Sequence, residues 1–281
     1  MTAYPEDKDV SSPSGFRPNM RLLRAFKRWI ELPRFDPKFA TKWGRLCCND
    51  LEAAMCEATY WDILAGFGVD VQPNDLGGVS APDYLCYKGG VKFYVEVTCI
   101  STQTATLTTN LEPFSPGDSG ARHYGTLNTA IANECREKTR QCANLDAPCL
   151  LAIGTFHFEA SAILINRDCM GMLLTDEPKF AWTFDPAVGH CVGEPYLQTD
   201  FRTAAFTRLS DGGPSQIRQP ISGLLIGGFG VGKPPLLGVL HPDARRPFDW
   251  TLLDKVPFCQ QRMDESNATV SVEWLGPPPT E

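Results

Sequence analysis

Hydrophobic and polar positions fall into blocks whose period switches between that of a helix and that of a strand. Across residues 18–32, Leu22, Leu23, Phe26, Trp29 and Ile30 recur at helical spacing with Arg and Lys on the opposite side, which predicts an amphipathic helix ending near Pro33. Asn49 or Asp50 can cap a second helix bearing Leu51, Met55, Ala58, Trp61 and Leu64, stopped by Gly66 and Gly68. Val69 and Val71 then suggest a short strand. Residues 83–88 and 91–98 are rich in aromatic and β-branched side chains and flank Gly89-Gly90, which predicts a hairpin whose turn residues take positive φ. Residues 126–144 read as a helix with Leu127, Ile131, Cys135, Cys142 and Leu145 inward and Glu134, Lys138 and Gln141 along a polar stripe. Residues 148–158 predict a buried strand around Leu150, Leu151 and Ile153, and residues 160–174 a mixed helix or strand. Hairpins or an insertion are expected over 176–213, and a final pair of strands over 217–227 and 235–240. Residues 101–122 are polar without a period and predict either disorder or a flap.

The hairpin organises the candidate chemistry. With Gly89 and Gly90 as the turn, Lys88 faces Val91, and counting back along both strands sets Asp83 opposite Glu96. Opposed residues share a face, with Cβ atoms roughly 4.5 to 5.5 Å apart. Two carboxylates that close do not both ionise at neutral pH unless a cation lies between them, so the register predicts a divalent metal site. The plainer alternative is a solvated pair, against which stand Phe93, Val95 and Val97 around Glu96. Glu52 suits the first turn of its helix through the helix dipole alone, whereas Glu57 lies deeper and is the better third carboxylate.

Pro82-Asp83, the short hairpin and Glu96-Val97-Thr98 together resemble the motif of the PD-(D/E)XK, restriction-endonuclease-like nuclease superfamily, with Thr98 where the motif has Lys. The resemblance implies an α/β fold with a three-layer αβββαβ core over about residues 50–158 and a mixed central sheet, to which the N-terminal basic helix and the C-terminal strands read from the pattern are additions. It implies a metal-dependent phosphodiesterase acting on nucleic acid, DNA foremost, with Mg²⁺ or Mn²⁺ held by Asp83, Glu96, the Val97 carbonyl and Glu57. Thr98 can donate one hydrogen bond but carries no charge. Lys138 is then the first substitute for the motif Lys, with Gln141 as an orienting group, and Lys92 is the second. Residues 237–247, around His241-Pro242-Asp243, resemble the strand-and-Asn-Pro tail of some bacterial members, with Asp in place of Asn.

Composition adds limits. The 281 residues are 43% hydrophobic and suit one large domain: a tail over 1–16, a basic helical extension over 17–46 and a single α/β domain over 47–281. The 11 Cys include no Cys-x-x-Cys pair, which favours reduced thiols and a cytoplasmic location, and no apolar run is long enough for a membrane. Net charge is −7, yet residues 17–45 hold nine basic side chains against Glu31 and Asp36, which makes that segment +7 and leaves −14 for the rest. Arg21, Arg24, Lys27 and Arg28 are therefore the expected nucleic-acid contacts, with a solvated packing helix as the alternative. Oligomeric state, monomer or homodimer, stays open.

Other signals are weaker. Gly227-Gly228-Phe229-Gly230-Val231-Gly232-Lys233 matches the start of a phosphate-binding P-loop, but Pro234-Pro235 follows instead of a Ser or Thr and a helix, so a glycine-rich turn is expected. None of the four His is spaced for a metal site or triad. Two rivals remain: a nucleic-acid-binding or assembly module without turnover, and a sugar or nucleotide hydrolase that uses its carboxylates without metal.

Overall fold

The computed structural model describes residues 16–74, 81–109, 124–167, 169–176, 179–211, 213–230, 236–264 and 269–276. Residues 1–15 of the expected tail, the polar stretch after residue 109 up to 123 and the end of the glycine-rich turn lie outside them, whereas Phe16, the last residue of that tail, is described and buried in the core. Helices α1 (Met20–Ile30), α2 (Pro37–Asn49) and α3 (Leu51–Gly66) lead into β1 (Asp70–Pro73), β2 (Tyr84–Lys88) and β3 (Val91–Cys99). Helices α4 (Thr102–Thr109) and α5 (Tyr124–Lys138), strand β4 (Cys149–Thr155), and helices α6 (Phe158–Leu164) and α7 (Cys169–Thr175) follow. The hairpins β5 (Lys179–Asp185)/β6 (His190–Gln198) and β7 (Thr207–Ser210)/β8 (Gly213–Gln216) come next. Strands β9 (Gly223–Gly228), β10 (Leu236–Leu240), β11 (Phe258–Asp264) and β12 (Thr269–Leu275) are the last strands among the described residues.

One mixed eight-stranded sheet runs in the order β1-β2-β3-β4-β9-β10-β11-β12. The first three strands form an antiparallel meander, β4 lies parallel to β3, and β9 lies parallel to β4. Alternation along the strands divides the core in two. Phe93, Val95, Val97, Leu150 and Ala152 meet α1, α2 and α3 on one face. Tyr94, Leu151, Ile153, Leu224 and Ile226 meet α5, α6 and α7 on the other. A helix pressed between other helices and a sheet must be apolar nearly all round, and α3 buries Ala54, Met55, Cys56, Ala58, Tyr60 and Leu64.

The hairpin has the expected register, from Lys88↔Val91 to Tyr84↔Val95, and its turn residues Gly89 and Gly90 take φ of +58° and +79°. Asp50 caps α3 as expected, its Oδ1 accepting the Ala53 N–H at 2.9 Å. Other expectations shift. The basic segment is two helices, not one, and the apolar side of both joins the main core through Phe26, Ile30, Phe39 and Trp43. Helix α5 stops at Lys138, so Gln141 sits in the turn beyond it. The start of the polar stretch is α4, where the Glu52 carboxylate accepts the Thr102 N–H at 2.6 Å and also the Thr102 hydroxyl. Strands β9 and β10 do pair, antiparallel, but they are not the last, because β11 extends the sheet parallel to β10 and β12 closes it.

Candidate active site

β3 outruns β2. The ladder between them ends at Tyr84↔Val95, while β3 continues to Cys99 paired with β4 alone. Beyond that point Asp83 replaces a partner strand, its Oδ2 accepting the Val97 N–H at 2.9 Å. Asn74 holds the approach to Asp83, donating its N–H to the Asp83 carbonyl at 2.9 Å and its Nδ2 to the Pro82 carbonyl at 2.9 Å. The two strands therefore part where the carboxylates of Asp83 and Glu96 stand, and a cleft of about 800 Å³ opens there. Glu57, Asp83, Glu96 and Val97 line it.

The repulsion expected between the two carboxylates is met by the chain's own cations. Glu96, 1% exposed, holds Lys138 Nζ 2.6 Å from its Oε1 and accepts Gln141 Nε2 at 2.8 Å on its Oε2. Gln141 is pinned in turn, its Nε2 also lying 2.9 Å from the Ala81 carbonyl. Lys42 Nζ approaches Asp83 Oδ1 at 3.7 Å from a solvated position on α2. The stripe of Glu134, Lys138 and Gln141 thus faces the sheet instead of solvent, and Glu134 accepts the Thr98 hydroxyl at 2.8 Å.

Burial dominates the electrostatics. It pushes the Glu96 carboxyl up to about 7, aided by Asp83 and opposed by Lys138. Asp83 is also raised by burial, against the pull of Lys42 and the Val97 N–H. Glu57 is raised well above the carboxylate range by burial and then by Asp83. Burial works against the Lys138 ammonium, yet Glu96 outweighs it and holds that group above its usual value. Buried carboxyls displaced in this way, grouped in a cleft, are a mark of functional sites.

The donors suit a hard divalent cation, since Asp83, Glu96 and the Val97 carbonyl offer only oxygen. Among the described residues no three His, Cys, Asp or Glu side chains form a ready-made cage, so Glu57, the expected third carboxylate, lines the cleft without joining Asp83 and Glu96 around one point, and an ion held here would rest on two carboxylates and keep part of its water shell. Lys92, the second substitute for the motif Lys, is committed elsewhere: both Asp146 carboxylate oxygens accept from its Nζ at 2.8 Å. Glu52 caps α4 and does not line the cleft.

The expected nucleic-acid contacts Arg21, Arg24 and Arg28 are exposed on α1, and Lys27 pairs with Glu31 at 3.7 Å. None of the four lines the cleft. Its basic wall is α2 instead, through Lys38, Lys42 and Arg45 at positions i, i+4 and i+7, with the buried Phe39 and Trp43 on the adjacent side of the helix and also lining the cleft. That stripe is legible in the sequence, as is the Asp36 cap with Pro37 at the first helical position, where Asp36 Oδ1 accepts the Lys38 N–H at 2.9 Å. No helix among the described residues is long and apolar enough to cross a membrane.

Comparison of the chain with protein-family models, with curated proteins and with solved structures finds no match in any of the three.

Proposed function

We propose that the cleft is the active site of a divalent-metal-dependent phosphodiesterase that acts on nucleic acid, DNA foremost. The observation that carries this reading is the cluster of buried, raised carboxyls at the parting of β2 and β3, with the ammonium of Lys138 2.6 Å from Glu96 and the cations of α2 along the open wall. The succession α3-β1-β2-β3-α5-β4, with the meander antiparallel and β4 parallel to β3, supports the αβββαβ expectation, α4 being an insertion. Asp83 and Glu96, with the Val97 carbonyl, would hold Mg²⁺ or Mn²⁺. When bound, the ion would make an attacking water more acidic and offset charge on the phosphoryl oxygens.

The chain's own groups have separate tasks. Lys42, Lys38 and Arg45 bind phosphates along the strand. Lys138 takes the role of the absent motif Lys: once the charge of Glu96 is otherwise met, its ammonium is free to donate to a phosphoryl oxygen or to orient the water. Gln141, anchored on Ala81, fixes the Glu96 carboxylate, and Thr98 is held by Glu134 away from that task.

A second reading, a nucleic-acid-binding module without turnover, is favoured by one observation: Lys138 and Gln141 already satisfy both oxygens of Glu96. Incubation with plasmid DNA, linear DNA or RNA and Mg²⁺ or Mn²⁺ separates the two. Cleavage that is lost with a chelator and in Asp83→Asn is the expected result. DNA binding without cleavage under every metal tried establishes the second reading.

A further inference from the structure

A second cavity, of about 670 Å³, lies on the far side of α5 and shares no lining residue with the cleft. Four guanidiniums surround it: Arg136 from α5, Arg140 from the turn beyond, Arg208 from β7 and Arg218 from the segment after β8. Arg136 near the end of α5 and Arg140 in the turn beyond it both face this cavity, while Lys138 between them points the other way, toward Glu96. One end of α5 thus serves two sites.

Four like charges around one cavity repel one another, and the acidic side chain in its lining is Glu137 alone. Among the described residues Arg136, Arg140 and Arg208 form no ion pair. The cluster is nonetheless built in place. Arg218 Nη1 donates to the Ala204 carbonyl at 3.0 Å and also to that of Ala205, and its backbone sits in the left-handed region at φ +63°, where a side chain as large as Arg is rare. Burial, with Arg136 and Arg208 adding to it, lowers the Arg218 pKa, a sign that the guanidiniums feel one another. An ordinary solvated surface in an acidic protein disperses such charges or pairs them with carboxylates, and this one does neither.

We propose that this cavity is a binding site for a phosphate-bearing anion, gripped by the planar guanidinium forks of Arg136, Arg140 and Arg208 around an Arg218 fixed by backbone carbonyls. The forks match the paired oxygens of a phosphoryl group, which is why arginine predominates at such sites. Two sources share that chemistry, a small polyphosphate and the backbone of a nucleic-acid strand that extends beyond the cleft. The site does not depend on the cleft's being a nuclease.

The test uses the full chain in metal-free buffer with two probes, inorganic pyrophosphate by calorimetry and a labelled single-stranded oligonucleotide by anisotropy. The variant is Arg136→Gln/Arg208→Gln, both exposed side chains that make no backbone contact; Arg218 is left intact because its bonds to Ala204 and Ala205 are structural. Circular dichroism verifies the fold, and Arg262→Gln on the exposed side of β11 controls for the loss of charge alone. Affinity should fall about tenfold or more in the double variant and stay within twofold in Arg262→Gln. A response of pyrophosphate identifies a small-anion site, and a response of the oligonucleotide alone identifies the strand. If neither probe's binding changes in the double variant, the proposal is overturned.

Discussion

Replacing Glu96 by Gln should flatten the dependence of stability on pH, and the structure gives the magnitude. Burial, with Asp83 beside it, raises the Glu96 carboxyl from its ordinary 4.5 to about 7 despite the Lys138 contact. The sign follows from proton counting. Between those values the folded chain binds a proton that the unfolded chain has released, so the contribution is complete below about 4.5, declines as pH rises and is gone above about 7. At about 1.4 kcal/mol for each tenfold change in proton affinity, the loss across that window is about 3 kcal/mol. Glu57 and Asp83 are raised too and act in the same direction, but both remain in Glu96→Gln, so the comparison isolates Glu96 and its repulsion with them. Gln keeps the shape, mimics the protonated acid and can still accept from Lys138. Thermal melts at pH 4.5 and pH 8, in metal-free buffer, should show the wild type losing roughly 6 to 10 °C more than the variant between the two. Parallel pH profiles would refute the reasoning, since they would mean that Glu96 titrates as an ordinary surface carboxylate and that its cradle is open to water.

Lys138→Met should lower turnover by about 10²- to 10³-fold with Mn²⁺ affinity nearly unchanged, because a group that acts on the transition state is lost and the carboxylates remain. Lys92→Met should leave turnover within about twofold, its ammonium being held on Asp146; equal effects of the two substitutions in a steady-state cleavage assay would sink the assignment of Lys138. Replacing Lys38, Lys42 and Arg45 by Gln should reduce the slope of log affinity for duplex DNA against log salt by about 2 to 3, while the same change at Arg21, Arg24, Lys27 and Arg28 on α1 should alter it less; the reverse order, measured by anisotropy titration, would return the nucleic-acid contact to α1. Gly238→Ala should destabilise the sheet by about 1 to 3 kcal/mol, because a Cβ there overlaps the ring of Phe258 on the paired strand, and an unchanged melting temperature would contradict the β10–β11 register.

What the sequence could reveal depended on how local the causes are. The hairpin was legible because Gly89-Gly90 dictates its turn and the alternation of two short runs dictates its register. The start of α3 was legible because Asp50 is a strong cap. The stripe of Glu134, Lys138 and Gln141 was visible as a spacing, but whether it met solvent or the sheet was not, since that depends on where β3 outruns β2. Helix α2 buries Phe39 and Trp43 on a turn-and-a-bit of apolar face, too little to stand out in a pattern, although Asp36-Pro37 announces its start. Helix α4 is rich in Thr and poor in intrinsic helix propensity; Glu52, fifty residues earlier, supplies the partner for its first N–H. The last two strands, β11 and the edge strand β12, include Gln260, Gln261, Arg262, Ser271 and Glu273 and lack a clear period. The arginine cavity gathers residues from α5, β7 and the segment after β8, which no window along the chain brings together.

The central claim is that Asp83 and Glu96 hold a divalent cation, and calorimetric titration of Mn²⁺ at pH 8 into the wild type, Asp83→Asn and Glu96→Gln tests it most directly. The pH lies above the raised Glu96 value of about 7, so that carboxylate is ionised and available. The account predicts saturable binding to the wild type and at least a tenfold loss of affinity in each variant, with all three chains folded by circular dichroism. Mn²⁺ binding of equal affinity in all three, or none to the wild type, would contradict it.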